Sequence, residues 1–167
     1  QRQMCIRDRN MGKPKFKWNE IPLTKDVDPE EINFSIRDLT LKKPFLVNIG
    51  NPHIIFFDDE IEKYDVESFG SLIENDSLFP EKINVSFAKL KSDNHIVLNV
   101  WERGAGKTNA CGTAACATAV AGVEMGVIKN KVTVTLPGGD LEIYYKSSDN
   151  IIMTGPTEIN FTDKYKL

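Results

Sequence analysis

Cys111-Gly112-Thr113 heads a run of small residues, Ala114 to Val123, and a thiol in that place could do chemistry. The first turn of a helix presents backbone N–H groups with no partner inside the helix, and its dipole favours negative charge. Both effects lower a thiol pKa and raise its thiolate fraction. The same N–H groups could hold a substrate carboxylate. The competing reading is that Cys111 is a small buried hydrophobe, the commonest fate of a free cysteine. Cys116 lies at i+5 from Cys111, so it faces elsewhere on such a helix and reads as packing. The pair makes neither a metal clip nor a redox motif. Just upstream, Glu102 and Arg103 end a strand beside a glycine-rich loop. They are either a solvated strand end or a pair that could hold an amino group and a carboxylate. His53 follows Asn51-Pro52 in a tight loop and carries the same ambiguity. Two histidines cannot build a zinc site with these cysteines at any standard spacing, so no metal is expected.

The stretch "GAGKT" offers a different chemistry. A phosphate loop needs G-x-x-x-x-G-K-[ST], in which the first Gly makes the tight turn that lets successive N–H groups wrap a phosphate. Gly106-Lys107-Thr108 supplies the end of that pattern, but Trp101 stands where the first Gly belongs. The helix should also begin at Lys-Thr, whereas "NACG" intervenes. Nucleotide binding is therefore disfavoured.

These residues need elements to hold them. Ala114 to Val123 is small or apolar throughout, which predicts a helix buried on all sides, with Glu124 as its first charge and Gly126 placed to stop it. Asp65 can cap an amphipathic helix over Val66 to Asn75, with Phe69, Leu72 and Ile73 on one face. "FSIRDLTL" alternates as one half-buried strand should, and "PFLVNIGNPHIIFF" reads as strand, tight loop, strand. "KINVSFAKL" and "HIVLNVWERG" form a hairpin across "SDN"; "KVTVTLPGGDLEIYYK" forms another, and "IIMTGPTEINF" is a further strand. "KPKFKW" reads as a short extended piece and "VDPEEIN" as a turn or brief helical turn. The expected fold is α+β, a mostly antiparallel sheet curled around a central buried helix.

Composition narrows the classes. The 167 residues are enough for one domain or slightly more, and 41% apolar content can fill a core. The net charge of −3 is spread along the chain, without the basic stripe of a nucleic-acid surface. No apolar run approaches the roughly 20 residues that span a bilayer. Three cysteines without regular spacing are not a disulfide framework, and a reducing cytoplasm is the default setting. The opening "QRQMCIRDRN" has no periodicity and three Arg in ten. It resembles translated sequencing-adapter read-through, so residues 1–10 read as a non-native or disordered tail, with the natural chain expected to begin upstream.

"MGKPKF", "IPL", "NIGNPHIIFF", "LFPEKINVSF", "VWERGAGKTNACGTAACA", "LPGGDLEI" and "MTGP" occur here in one order. From Met11 to about Phe161 the chain resembles diaminopimelate epimerase, and specifically its C-terminal half with the closing strand. The resemblance implies a cofactor-independent enzyme of two pseudo-symmetric halves, each a curled sheet or barrel around a central helix, with the active site between them. It would interconvert LL- and meso-diaminopimelate, one cysteine from each half facing the α-carbon. By resemblance Cys111 is the second catalytic cysteine. Gly112 and Thr113 offer the amides for the α-carboxylate. Glu102 and His53 assist the thiol pair and orient the α-amino group. Asn51, Asn84 and Arg103 read the distal amino acid end. Residues 11–30 would end the N-terminal half and cross over, 31–153 would form the C-terminal domain, and 154–167 would return to the missing half. Ala114 stands where the family usually has Gly, and Lys107 replaces a usual Glu. The partner cysteine should precede Gly-Asn at another helix mouth; Cys5 precedes Ile6-Arg7 and is not it. The chain alone is therefore expected to be inactive, and its full-length parent a homodimer. The alternatives are a proline racemase-like enzyme of the same fold and a non-catalytic carboxylate-binding half-domain.

Overall fold

A computed structural model describes residues 5–157; residues 1–4 of the expected tail and 158–167 of the expected closing segment lie outside them. The strands are β1 (Cys5–Asn10), β2 (Asn33–Ile36), β3 (Leu39–Lys42), β4 (Phe45–Asn48), β5 (Pro52–Phe57), β6 (Asn84–Ser92), β7 (His95–Glu102), β8 (Gly106–Thr108), β9 (Lys131–Leu136), β10 (Gly139–Tyr144) and β11 (Ile152–Thr157). Helix α1 covers Val66–Glu74 and α2 covers Gly112–Glu124. Nine strands form one mixed sheet in the order β1-β11-β10-β9-β7-β6-β5-β4, with β8 beside β7, while β2 and β3 make a separate hairpin. The fold is thus α+β and dominated by its sheet.

Two strand pairs are parallel, β5 with β6 and β7 with β9; the rest are antiparallel. Each parallel pair needs a crossover, and α1 and α2 supply them. Both crossovers step the same way along the sheet. Because β6 and β7 are antiparallel, the two pairs run in opposite directions, and crossovers of one hand then put the helices on opposite faces. The side chains agree. Ile54, Phe56, Val85 and Phe87 pack with Phe69 and Ile73 of α1, while Ile55, Ala88, Leu98 and Val100 pack with the alanines of α2.

This arrangement corrects the barrel expected from the sequence. Among the described residues the sheet is open, with β1 at one edge and β4 at the other. A sheet with a helix on each face separates two cores instead of closing around one.

The local predictions fare unevenly. Asp65 caps α1, accepting from the N–H groups of Glu67 and Ser68. Phe69 and Ile73 are buried, but Leu72 lies on the flank of the helix and is exposed, contrary to the predicted face. Both hairpins form as read, β6 with β7 and β9 with β10. "FSIRDLTL" is not one strand but the β2–β3 hairpin. Arg37 turns it in the left-handed region at φ 53°, a conformation that alternation of apolar residues does not encode. Cys5–Asn10 pairs along its whole length with β11, and the Thr154 hydroxyl donates to Asp8.

Helix α2 is buried from Ala114 through Gly122 and packs against β4, β5, β6, β9 and β10. Gly126, at φ +71°, ends it, its N–H bonding the Val123 carbonyl while the Val127 N–H bonds that of Gly122. No described helix is long and apolar enough to cross a membrane.

Candidate active site

Cys111 occupies the N-cap position of α2 with extended backbone, and the side chain forms no capping hydrogen bond. The β8 strand and the Pro137-Gly138 turn bring it there. Gly106–Thr108 runs back along the end of β7, and the Gly138 N–H donates to the Asn109 carbonyl at 2.6 Å. A Cβ on Gly138 would stand 2.8 Å from that oxygen, so only glycine permits the approach. Because 106–108 is a strand and the helix starts at Gly112, the "GAGKT" stretch builds no phosphate cradle.

The residues singled out in the sequence fall into three hydrogen-bonded groups, one running from Cys111 to His53, one around Asn84 and one at Glu102. The Thr113 hydroxyl lies 3.4 Å from Cys111 Sγ. Asn51 Nδ2 donates to Thr113 Oγ1 at 3.4 Å, and Asn51 Oδ1 lies 3.0 Å from His53 Nε2. With the Asn51 amide so oriented, His53 donates from Nε2 and Nδ1 is the bare nitrogen; among the described residues the buried Nδ1 has no partner. His53 sits beside Asn84 in the parallel β5–β6 ladder. Asn84, also buried, donates to the Pro52 carbonyl at 2.8 Å and accepts from the Arg103 N–H at 3.0 Å. It therefore clamps the His53 loop to the end of β7. The exposed Arg103 guanidinium donates to the Glu81 carbonyl at 2.9 Å. Glu102 accepts from the Thr108 hydroxyl at 2.5 Å, and its carboxylate is among the groups acting on the Cys111 thiol.

Electrostatics corrects one expectation. The helix mouth was expected to lower the Cys111 pKa, yet it is raised. Burial is the largest cause; the Thr113 hydroxyl and Ala114 N–H favour thiolate, but the Glu102 carboxylate opposes them by hydrogen bond and by charge. The thiol thus sits between groups that favour each of its forms. Burial drives His53 down to about 3, helped by the positive charge of Arg103, so its ring is neutral at ordinary pH. Cys116 is fully buried and pushed up to about 12, which fits packing alone.

A groove of about 690 Å³ lined by Phe16, Trp18, Phe45 and Met125 lies at the other end of α2. At 1.5 Å per residue it is roughly 20 Å from Cys111 and has no part in this site. Two site residues escaped the sequence reading: Thr108, which holds Glu102, and Glu74, which accepts from Trp101 and Gly104. The available signal was a charged residue at a core-facing position of α1, one turn after Gly70.

The architecture belongs to a known class. The solved structure of a predicted epimerase from Pseudomonas aeruginosa superposes with a TM-score of 0.57 over 94% of this chain and 59% of that one, at 12% identity, which speaks for the fold alone. Sequence carries the assignment further. Residues 45–160 match the family model for diaminopimelate epimerase. The diaminopimelate epimerase of Erythrobacter litoralis is 47% identical over 152 residues, 91% of this chain and 56% of the relative. That of Methylocella silvestris is 46% identical over 156 residues, 90% of this chain and 54% of the relative. That of Halothermothrix orenii is 45% identical over 157 residues, 93% and 55%. This chain belongs to the diaminopimelate epimerase family, a family of isomerases, and it spans about half the length of the curated relatives it matches.

Proposed function

We propose that this chain is the C-terminal half of a cofactor-independent epimerase that interconverts LL- and meso-diaminopimelate in the cytoplasm, on the route to lysine and peptidoglycan precursors. Residues 31–153 form its domain, a curled sheet with α2 as the central helix, and residues from 154 onward return to the other half. The parent enzyme is a homodimer.

Cys111 is one of two cysteines facing the α-carbon. As thiolate it removes the α-proton; the Cα–H bond breaks and its electron pair passes into the adjacent carboxylate system. The thiol of the other half then protonates the opposite face, its S–H electrons remaining on sulfur. No net oxidation occurs, and the roles exchange in the reverse direction. A single base would tend to return the proton to the face it left. Matched acid and base in a closed, dry site make the pair effective. The Gly112 and Thr113 amides meet the charge developing on the carboxylate. Glu102 and neutral His53 tune the thiol and hold the α-amino group. Asn51, Asn84 and Arg103 face the distal end, where the planar Arg fork suits a carboxylate.

The observation that carries this reading is the setting of one sulfur. Cys111 stands at an uncapped helix mouth with Glu102 on one side and the Thr113–Asn51–His53 chain on the other. A base that must also serve as an acid needs such opposed influences. The purified chain, incubated with LL-diaminopimelate in heavy water, is expected to give no inversion, because the second cysteine is missing. The same chain is expected to lose Cys111 reactivity toward iodoacetamide when diaminopimelate is added. Inversion by the chain alone overturns its inactivity; alkylation untouched by ligand overturns the site and leaves an inert buried thiol.

A further inference from the structure

Glu74 is a buried carboxylate that the proton transfer does not use. It lies on α1, across the sheet from α2, and is 4% exposed. One oxygen accepts from the Trp101 indole N–H at 2.7 Å; the other accepts from the Gly104 backbone N–H at 2.9 Å and lies 3.6 Å from Lys82 Nζ. One turn earlier on the same helix face, Gly70 receives the Trp101 side chain. A Cβ on Gly70 would meet the Trp101 side chain at 2.4 Å, and the far edge of the ring lies 3.6 Å from where a Cβ on Gly106 would be. Helix α1 therefore holds the indole body in a glycine notch and its polar end on a carboxylate.

Glu102 and Arg103 lie between the two points that Glu74 grips. With Trp101 and Gly104 fixed, the two intervening residues have little freedom. One side of the corner is closed by Asn84 on the Arg103 N–H, and the other by Thr108 on the Glu102 carboxylate. Burying a charge is costly unless it is paired and hydrogen-bonded. Glu74 meets that requirement: burial alone would raise its pKa, but Trp101, Gly104 and Lys82 together hold it below the ordinary glutamate value. An apolar residue would fill the same space between α1 and the sheet without fixing the Gly104 turn.

We infer that Glu74 is a positioning residue for the active site: its carboxylate pins the Trp101–Gly104 corner from the far face of the sheet and so fixes Glu102, hydrogen-bonded to Thr108, in its place near the mouth of α2. This rests on the assignment of Glu102 and Cys111 to one site and adds to it a support that no substrate-facing residue provides.

The test uses the chain as it stands and reads the rate of Cys111 alkylation by iodoacetamide, resolved by peptide mass, across pH. Removing the Glu102 charge beside the thiol, in Glu102→Gln, is expected to speed alkylation near neutral pH by about threefold or more. Glu74→Ala is expected to speed it in the same direction, although Glu74 itself is not among the groups acting on the sulfur. In the double variant the rate should equal that of Glu102→Gln alone, since Glu74 would act only through Glu102. Circular dichroism establishes that each variant is folded. Should Glu74→Ala fail to fold, Glu74→Gln, which keeps the volume and one acceptor oxygen, replaces it in the same cycle. A folded Glu74 variant with an unchanged rate, or one whose effect multiplies in full with that of Glu102→Gln, overturns the inference. No response to Glu102→Gln would instead overturn the site on which it rests.

Discussion

Helix α1 and helix α2 each cross between parallel strands, yet they treat their first turns in opposite ways. In α1 the Asp65 side chain accepts from two first-turn N–H groups, and the Ser68 hydroxyl donates to it as well. In α2 the N-cap residue is Cys111, which forms no capping hydrogen bond. The bodies differ too. Helix α1 buries one face, with Leu72 and Glu67 outward, whereas α2 is buried from Ala114 through Gly122. A helix held by one amphipathic face draws part of its stability from its own cap. A helix enclosed on all sides can leave its mouth uncapped, because packing along its length holds it in place. The uncapped mouth is then available for an acidic ligand, and it lies on the same face of the sheet as His53.

The sharpest way to break this contrast is to place a charge on each helix. Ala117→Lys, in the enclosed helix, is expected to cost about 3–5 kcal/mol, because an uncompensated charge would be buried. Leu72→Lys, on the open flank of α1, should change stability by no more than about 0.5 kcal/mol. Urea unfolding of the two variants measures both; similar losses would mean that the helices are held alike.

Acid separates the two faces next. His53 is depressed from 6.5 to about 3, so the unfolded chain takes up a proton that the folded chain refuses. Its neutral burial is uncostly above pH 6.5, and stability falls by about 1.4 kcal/mol per pH unit as pH drops from there toward about 3. Glu74 on the other face is also depressed, but from 4.5, so its contribution is full above that value and fades only as pH falls through its lower folded pKa. Stability between pH 6.5 and pH 5, a window between those two ordinary values, should therefore weaken through His53, and His53→Asn should flatten the slope there.

The smallest effects concern the caps themselves. Asp65→Ala is expected to cost about 0.5–2 kcal/mol. Cys111→Ser puts a better acceptor at the α2 mouth and is expected to raise stability by up to about 1 kcal/mol while abolishing thiol reactivity. Loss of stability in Cys111→Ser would show that the mouth amides are already satisfied.

Most of the local framework was legible in the residues. The Asp65 cap, the two long hairpins and the buried run after Cys111 are each written in a short stretch whose signal is local. What escaped depends on distant partners. Whether a sheet closes is decided by which strands meet across the chain, and no single strand carries that information. The grip of Glu74 on Trp101 and Gly104 joins residues 27 and 30 positions apart. The site constellation was gathered by family resemblance together with the helix-mouth argument; the structure links Cys111, Thr113, Asn51 and His53, while Asn84 and Glu102 make hydrogen bonds of their own. The direction of the Cys111 shift was misread because a helix dipole can be judged from sequence, while burial and a carboxylate folded back from Glu102 cannot.

Gly112 has one further neighbour. A Cβ there would stand 3.0 Å from the Met153 sulfur, so β11 forms the wall of the α2 mouth. The two positions crowd one volume: a methyl group gained at 112 requires the Met153 thioether to give way by a few tenths of an ångström. Across relatives this pair should drift jointly, and grafting a bulkier closing strand onto this scaffold would obstruct the mouth without altering any polar group in it.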